Sequence, residues 1–317
     1  MIHWAICSPF LKLIEETAMG PNIHFFIGKG GVGKSTTSAL TALNFAGAGR
    51  NTLLVSMDPA HNQRDIFQQD FSEKPCQVMP TLAVKEVDSD YWSNIYLKGT
   101  LSQLKKAYSY QSAFNIQNYY NILKYSPGLE EYALLLAFEN TLHTAEDKDD
   151  ILFDMPPTAL TMRFFSLPFI TMIWLKELLK LRNQIYAKKE IISKIKFGKK
   201  EIQQDKVKAR LESLMDEHGH LREHFTASST GINLVLNNDH LSVAEAGRIG
   251  RKLSDIGIEI RRVLINKVKE GDRLEGITEQ FNGYPITRFP LSSGELYGLD
   301  SLQRYVQDNP VLAQQSG

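Results

Sequence analysis

The feature that most constrains this chain is a glycine-rich run, Gly28-Lys29-Gly30-Gly31-Val32-Gly33-Lys34-Ser35-Thr36, set between two apolar segments. Before it, Ile23-His24-Phe25-Phe26-Ile27 is short, bulky and ends in glycine, the pattern of a buried strand. Behind it, residues 34–48 put Ala39, Leu40, Leu43 and Ala46 on one helical face, and Gly47 and Gly49 stop that helix. Strand, glycine turn and helix in that order commit the chain to an α/β unit. The run matches G-x-x-x-x-G-K-[ST] at every position. Its glycines let backbone N–H groups turn inward onto phosphate oxygens, and the helix start adds a favourable dipole. Lys34 is then expected to reach the β- and γ-phosphates of a nucleotide, Ser35 to offer a hydroxyl to Mg²⁺, and Thr36 to meet the α-phosphate. Lys29 adds a second cation, too early in the loop to duplicate Lys34. It is either a solvated surface lysine or a group that neutralises charge in a neighbouring subunit.

The alternation recurs downstream. Residues 52–56, 82–87 and 150–154 read as buried strands, followed by Ile232–Leu236, 263–265 and Tyr284–Phe289, with a helix from Leu241 to Ile256. Such a series predicts a parallel sheet covered on both faces. Residues 91–146, broken at Ser126-Pro127-Gly128, and residues 166–225 read as helices that leave the sheet and return. The expected fold class is α/β: a P-loop NTPase with a mainly parallel sheet flanked by helices. A helical subdomain from 91–146 and 166–225 is inserted in the same domain, spanning 21–305. Met19-Gly20 stands just before the first strand as the expected natural start, so residues 1–20 read as an extension and 306–317 as a tail.

Composition narrows the function classes. Lys plus Arg and Asp plus Glu are both 36, so the formal charge is zero and a general nucleic-acid binder is not expected. The two cysteines, Cys7 and Cys76, form no CxxC pair, so neither a disulfide framework nor a zinc site is expected, and a cytoplasmic setting fits. No run reaches the ~18 consecutive apolar residues of a spanning helix; the most apolar, Phe164 to Leu175, carries Ser166, Pro168 and Thr171.

The phosphate loop resembles the deviant Walker A motif of the dimeric ATPases that include partition proteins, nitrogenase iron protein and the ArsA/Get group. Asp58-Pro59-Ala60-His61-Asn62, with Asp65 and Phe67, is similar to switch I of the ArsA/Get family of arsenite-pump and tail-anchored-protein targeting ATPases. Pro127-Gly128-Leu129-Glu130-Glu131 resembles a segment of the family's helical subdomain, and Asp154 through Arg163 its switch II. Asp239-His240-Leu241-Ser242, Ile265-Asn266-Lys267 and Phe289-Pro290-Leu291 resemble its later nucleotide-contact segments. The resemblance implies a homodimer that hydrolyses Mg-ATP. Asp58 would orient the attacking water, and Asp154 would hold Mg²⁺ through water. Asn266, Pro290 and Leu291 would lie at adenine, and Asp239 would contact nucleotide across the dimer. As residues alone, Asp58 could instead bond a local backbone N–H and Asp154 form a strand-end turn.

Departures bear on the cargo. Switch II has Met155-Pro156 where the family has Thr-Ala, and Ala159-Leu160 where it has Gly-His, a loss of glycine that stiffens the segment. The expected activity couples nucleotide state to cargo binding, the leading cargo being an apolar membrane-protein segment. The alternatives are an anion-transport subunit of the arsenite type and a low-turnover nucleotide switch. The aromatic stretch Phe164, Phe165, Leu167, Phe169, Ile170, Met172, Ile173 and Trp174 reads either as subdomain core or as an apolar groove. His218, His220 and His224 read as a solvated helical face rather than a metal site. The lysines between Lys188 and Lys200 read as a solvated face, or as contact with anionic headgroups at a membrane surface.

Overall fold

The computed structural model describes residues 20–107, 123–197 and 205–310. Residues 1–19 of the expected extension, with Cys7, the residues Lys199 and Lys200, and residues 311–317 lie outside the described residues. Short apolar segments fold as strands, the central ones buried on both sides. Eight of them form one sheet: β1 (Asn22–Ile27), β2 (Thr52–Ser56), β3 (Cys76–Met79), β4 (Leu82–Glu86), β5 (Asp150–Asp154), β6 (Thr230–Asn237), β7 (Ile260–Val268) and β8 (Ile286–Pro290). Their order is β3-β4-β2-β5-β1-β6-β7-β8, parallel throughout except where β3 pairs antiparallel with β4. Cys76 opens β3, an edge strand too short and half-exposed to show a buried pattern.

Helices follow as α1 (Lys34–Gly47), α2 (Asn62–Phe67), α3 (Ser89–Ala107), α4 (Leu129–Thr144), α5 (Thr158–Phe197), α6 (Lys206–Thr226), α7 (His240–Asp255), α8 (Glu275–Gln280) and α9 (Leu299–Asp308). Gly128, with φ 85°, makes the turn into α4 at the break expected from the sequence. One face of the sheet buries Phe25 against Phe153, ring centroids 5.2 Å apart, with Phe138 and Phe164 closing the cluster. The other packs Phe26, Leu54 and Leu152 under α1 residues Leu40 and Leu43, with Leu302 and Tyr305 of α9 in the same core. Each such side chain contributes roughly 1.5–3 kcal/mol when fully buried.

Parallel register sends the strands' C-terminal ends to one edge. Phe26 and Ser56 both pair with Asp154, Asn237 with Asn266, and Val268 with Pro290. The switch in strand order lies at β1, which runs straight into the glycine loop, and crevices at such points receive ligands. The opposite edge is tied instead: the Asp150 carboxylate meets His24 Nε2 at 3.0 Å and accepts from Arg50 at 2.5 Å.

Residues 20–164 and 228–310 form one compact unit and residues 165–227 a second. Helices α3 and α4 belong to the sheet-bearing unit, with Tyr96 and Tyr132 stacked at 5.3 Å. Within the second unit Phe165 meets Phe225 edge-on at 5.1 Å. Asp205 caps α6 by accepting from Val207 and Lys208 N–H and grips Arg182 with both oxygens, at 2.8 and 2.9 Å. The sequence reads His218 as solvated, and the structure corrects this: it is 2% exposed, and burial pushes its pKa down to about 4. Among the described residues no group of three His, Cys, Asp or Glu is placed to hold a metal. The stretch Thr158–Lys188 of α5 is long enough, and apolar enough on average, to cross a bilayer, and 44% of its most apolar window is buried in the protein.

Candidate functional site

At the sheet's C-terminal edge the glycine loop is held by sterics. A Cβ on Gly28 would enter the Val235 carbonyl oxygen, and one on Gly33 would enter the Asn266 amide. Gly31 and Gly33 have φ of 80° and 92°, a region that side chains disfavour. Gly30 has open space around it and Val32 is buried, so one end of the loop is anchored and the tip faces outward. Lys34 and Ser35 are buried where α1 begins, and Thr36 is partly exposed. That helix has neither an acidic first turn nor a side-chain cap, which leaves its first N–H groups available to an anion. Lys29 lies half-buried on the loop.

Beside Ser35 stands Asp154, fully buried at the end of β5. Its Oδ2 accepts from Gln63 Nε2 at 3.0 Å, while Oδ1 is buried with no hydrogen-bond partner among the described residues. Burial pushes its carboxyl up to about 6, against the lowering effects of the Ser35 hydroxyl, Lys34 and Gln63; Asp58 adds to the rise. Asp58 is 8% exposed, with Oδ1 accepting from Ala60 N–H at 3.0 Å. The following residues fold into α2 because Glu86, buried at the end of β4, accepts from Arg64 N–H at 3.1 Å and lies 3.5 Å from His61 Nδ1. Desolvation raises the Glu86 pKa. From α2, Asn62 Nδ2 reaches the Ser35 hydroxyl at 3.4 Å and Gln63 Nε2 the Ser35 carbonyl at 3.1 Å. The Gln63 contacts have no counterpart in the sequence motifs; the one available signal was an amide between Asp58 and the apolar pair Ile66-Phe67.

The segment after β5 also touches the loop. Thr158 Oγ1 donates to the Gly28 carbonyl at 3.4 Å, and Met155 is fully buried with its N–H on Phe26 O. Asn266 donates to Val32 O at 2.8 Å and accepts from Lys267 N–H at 2.9 Å, so both ends of its amide are engaged within the protein. Pro290 and Leu291 are exposed beyond β8, steadied by Tyr305 OH on Pro290 O at 2.6 Å and by Leu291 N–H on Val268 O. Asp239 is exposed and caps α7, accepting from Ser242 N–H at 2.9 Å. The loop, Asp58 and Asp154 thus converge on α1, whereas Asp239, Pro290 and Leu291 lie further along the same edge.

The family model described as "Anion-transporting ATPase" matches residues 22–308, nearly the whole described chain. The chain belongs to the anion-transporting ATPase family. Similar proteins include ATPase ASNA1 homolog 1 of Paramecium tetraurelia, 25% identical over 95% of this chain and 95% of that protein. ATPase GET3C of Arabidopsis thaliana is 27% identical over 87% of this chain and 79% of its own. ATPase GET3 of Meyerozyma guilliermondii is 26% identical over 89% and 87%. The chemistry of the anion-transporting ATPase family is ATP hydrolysis, which uses a nucleotide with a divalent metal. The residues present fit that metal. Asp154 Oδ1 is a buried acceptor without a donor among the described residues, the Ser35 hydroxyl is adjacent, and a hard cation takes its remaining ligands from phosphate and water.

Proposed function

We propose that this ATPase hydrolyses Mg-ATP as a homodimer and uses its nucleotide state to control binding of an apolar segment on α5. In this reading the N–H groups of residues 28–36 cradle the phosphates, and Lys34 neutralises the β- and γ-oxygens. Ser35 and Asp154 would hold Mg²⁺, which would supply positive charge beside the phosphates. Asp58 orients the attacking water with Oδ2, which meets no donor among the described residues. Lys29 acts on the partner's nucleotide. Pro290 and Leu291 are free to contact adenine as they stand, whereas Asn266 must first release Val32. Asp239 reaches across the dimer only by leaving its cap.

The observation that carries the coupling is α5 itself. Its first residue, Thr158, bonds the phosphate loop, and the same helix exposes Ile170, Ile173 and Trp174, at 51%, 65% and 66%. Leu181 and Ile185 extend that stripe. Exposed apolar residues at helical spacing are the mark of a helix-in-groove contact. The reading places the protein in the cytoplasm, with membrane-protein segments as cargo. An apolar helical peptide titrated with and without ATP, followed by Trp174 fluorescence, tests it: affinity should change with nucleotide, and unchanged affinity would reject the coupling.

Anion transport, named in the family description, is the second reading. Soft oxyanions such as arsenite need converging thiolates. Cys76 is the one cysteine among the described residues, and its sulfur lies 3.0 Å from Gln69 Nε2. Arsenite should therefore leave the ATPase rate unchanged. A saturable activation lost in Cys7→Ser/Cys76→Ser would restore the transport reading.

A further inference from the structure

We propose that Gln63 is a positioning residue that joins α2 to the metal-binding carboxylate, so that loading the site with metal orders the segment carrying Asp58. The inference rests on the reading of Asp154 and Ser35 as metal-holding groups. Gln63 is 0% exposed, and its Nε2 lies 3.1 Å from Ser35 O, 3.2 Å from Ser38 Oγ and 3.0 Å from Asp154 Oδ2. One side chain thus spans α2, α1 and the end of β5. Its orientation is dictated by chemistry: a carboxylate oxygen accepts only from the nitrogen side of the amide, so Nε2 must face Asp154. The opposite end, Oε1, is then buried without a donor among the described residues, as is Asp154 Oδ1. Buried acceptors are normally satisfied. Two that are not, one on each partner of a single hydrogen bond beside Ser35, are acceptors that the water O–H groups of a hydrated cation can satisfy.

The bond also reaches backwards. Gln63 lies in the first turn of α2, five residues after Asp58, and its neighbour Asn62 touches the Ser35 hydroxyl. Any adjustment of Asp154 or Ser35 on binding metal is therefore transmitted to the start of α2. Partners that orient a metal's ligands change metal affinity by about 10- to 100-fold when removed.

The test is Mn²⁺ binding, read by electron paramagnetic resonance, to protein saturated with a non-hydrolysable ATP analogue. Gln63→Leu should bind the analogue without metal as the unaltered protein does, but hold Mn²⁺ about tenfold more weakly. Hydrogen exchange on the unaltered protein supplies the measurement that needs no variant. Adding Mn²⁺ to the analogue complex should slow exchange across residues 62–67. Equal Mn²⁺ affinity in Gln63→Leu, or exchange across 62–67 that ignores the metal, would overturn the role of Gln63. Asp154→Asn separates the two levels: if it too leaves Mn²⁺ affinity unchanged, the metal reading fails and Gln63 falls with it. A loss of Mn²⁺ in Asp154→Asn alone removes only the role of Gln63.

Discussion

At Asp58 the change from carboxylate to amide alters one atom and leaves the shape alone. Its Oδ1 contact to Ala60 N–H survives in Asp58→Asn, so the fold of the segment should survive too. An amide orients water poorly for attack, and turnover should fall by about tenfold or more at unchanged ATP affinity; equal turnover at saturating Mg-ATP would end the proposed role. Asp154 carries a different prediction. Its folded pKa of about 6 stands above the ordinary 3.8 because of burial. Its favourable contribution is thus complete below about 3.8 and lost as pH rises through about 6. The difference corresponds to about 3 kcal/mol. Asp154→Asn should therefore raise the melting temperature of the nucleotide-free protein at pH 7, the gain vanishing below pH 4, while metal binding is lost; a melting curve no higher than that of the unaltered protein at pH 7 would contradict it. The phosphate loop was legible because its glycines obey a steric rule written in the sequence. Gln63 was not, because its importance lies in three acceptors drawn from two other elements. His218 was misread for a related reason: its burial comes from tertiary packing that its own helix's sequence does not mark.

Elements with a strong period were legible, and those whose character comes from neighbours were not. Strands β2 and β5 have the bounds read from the sequence, because every residue in them is buried. Edge strand β3 has one half-exposed face and an irregular register with β4, so no alternation marks it. Helix α2 is six residues long, and its first turn is held by Glu86 on another element, which accepts from Arg64 N–H. Helix α9 crosses the expected tail boundary at 306 and ends at Asp308, because Leu302 and Tyr305 belong to the core below α1. The aromatic stretch of α5 divides between the two alternatives, Phe164 and Phe165 being fully buried while Ile173 and Trp174 are not. That division is measurable. Phe164→Ala should cost about 3–5 kcal/mol in urea unfolding through the cavity it leaves. Ile173→Ala should cost less than about 0.5 kcal/mol yet weaken binding of an apolar peptide. A large stability loss at Ile173 with peptide binding intact would return that face to the core.

At the scale of the whole molecule, the two loop lysines divide the labour between one chain and two. Lys34 is 6% exposed at the start of α1, where a group serves its own loop, whereas Lys29 is half-buried nearer the outward-facing tip. Lys34→Ala should abolish nucleotide binding. Lys29→Ala should bind ATP and hydrolyse it poorly, because the cation it removes acts on the other copy's phosphates. Mixing Lys29→Ala with Asp58→Asn turns this into a test of the dimer. In a mixed pair, the Lys29→Ala copy keeps its own Asp58 and receives an intact Lys29 from its partner, so one composite site is complete. The other site lacks both groups. With random pairing at equal amounts, half the dimers are mixed and each has one working site of two, so activity should recover to about a quarter of the unaltered level. Were Lys29 to serve its own nucleotide, neither site of the mixed pair would be complete. A mixture no more active than its separate components would then assign Lys29 to its own loop and remove the chemical reason for pairing two copies face to face.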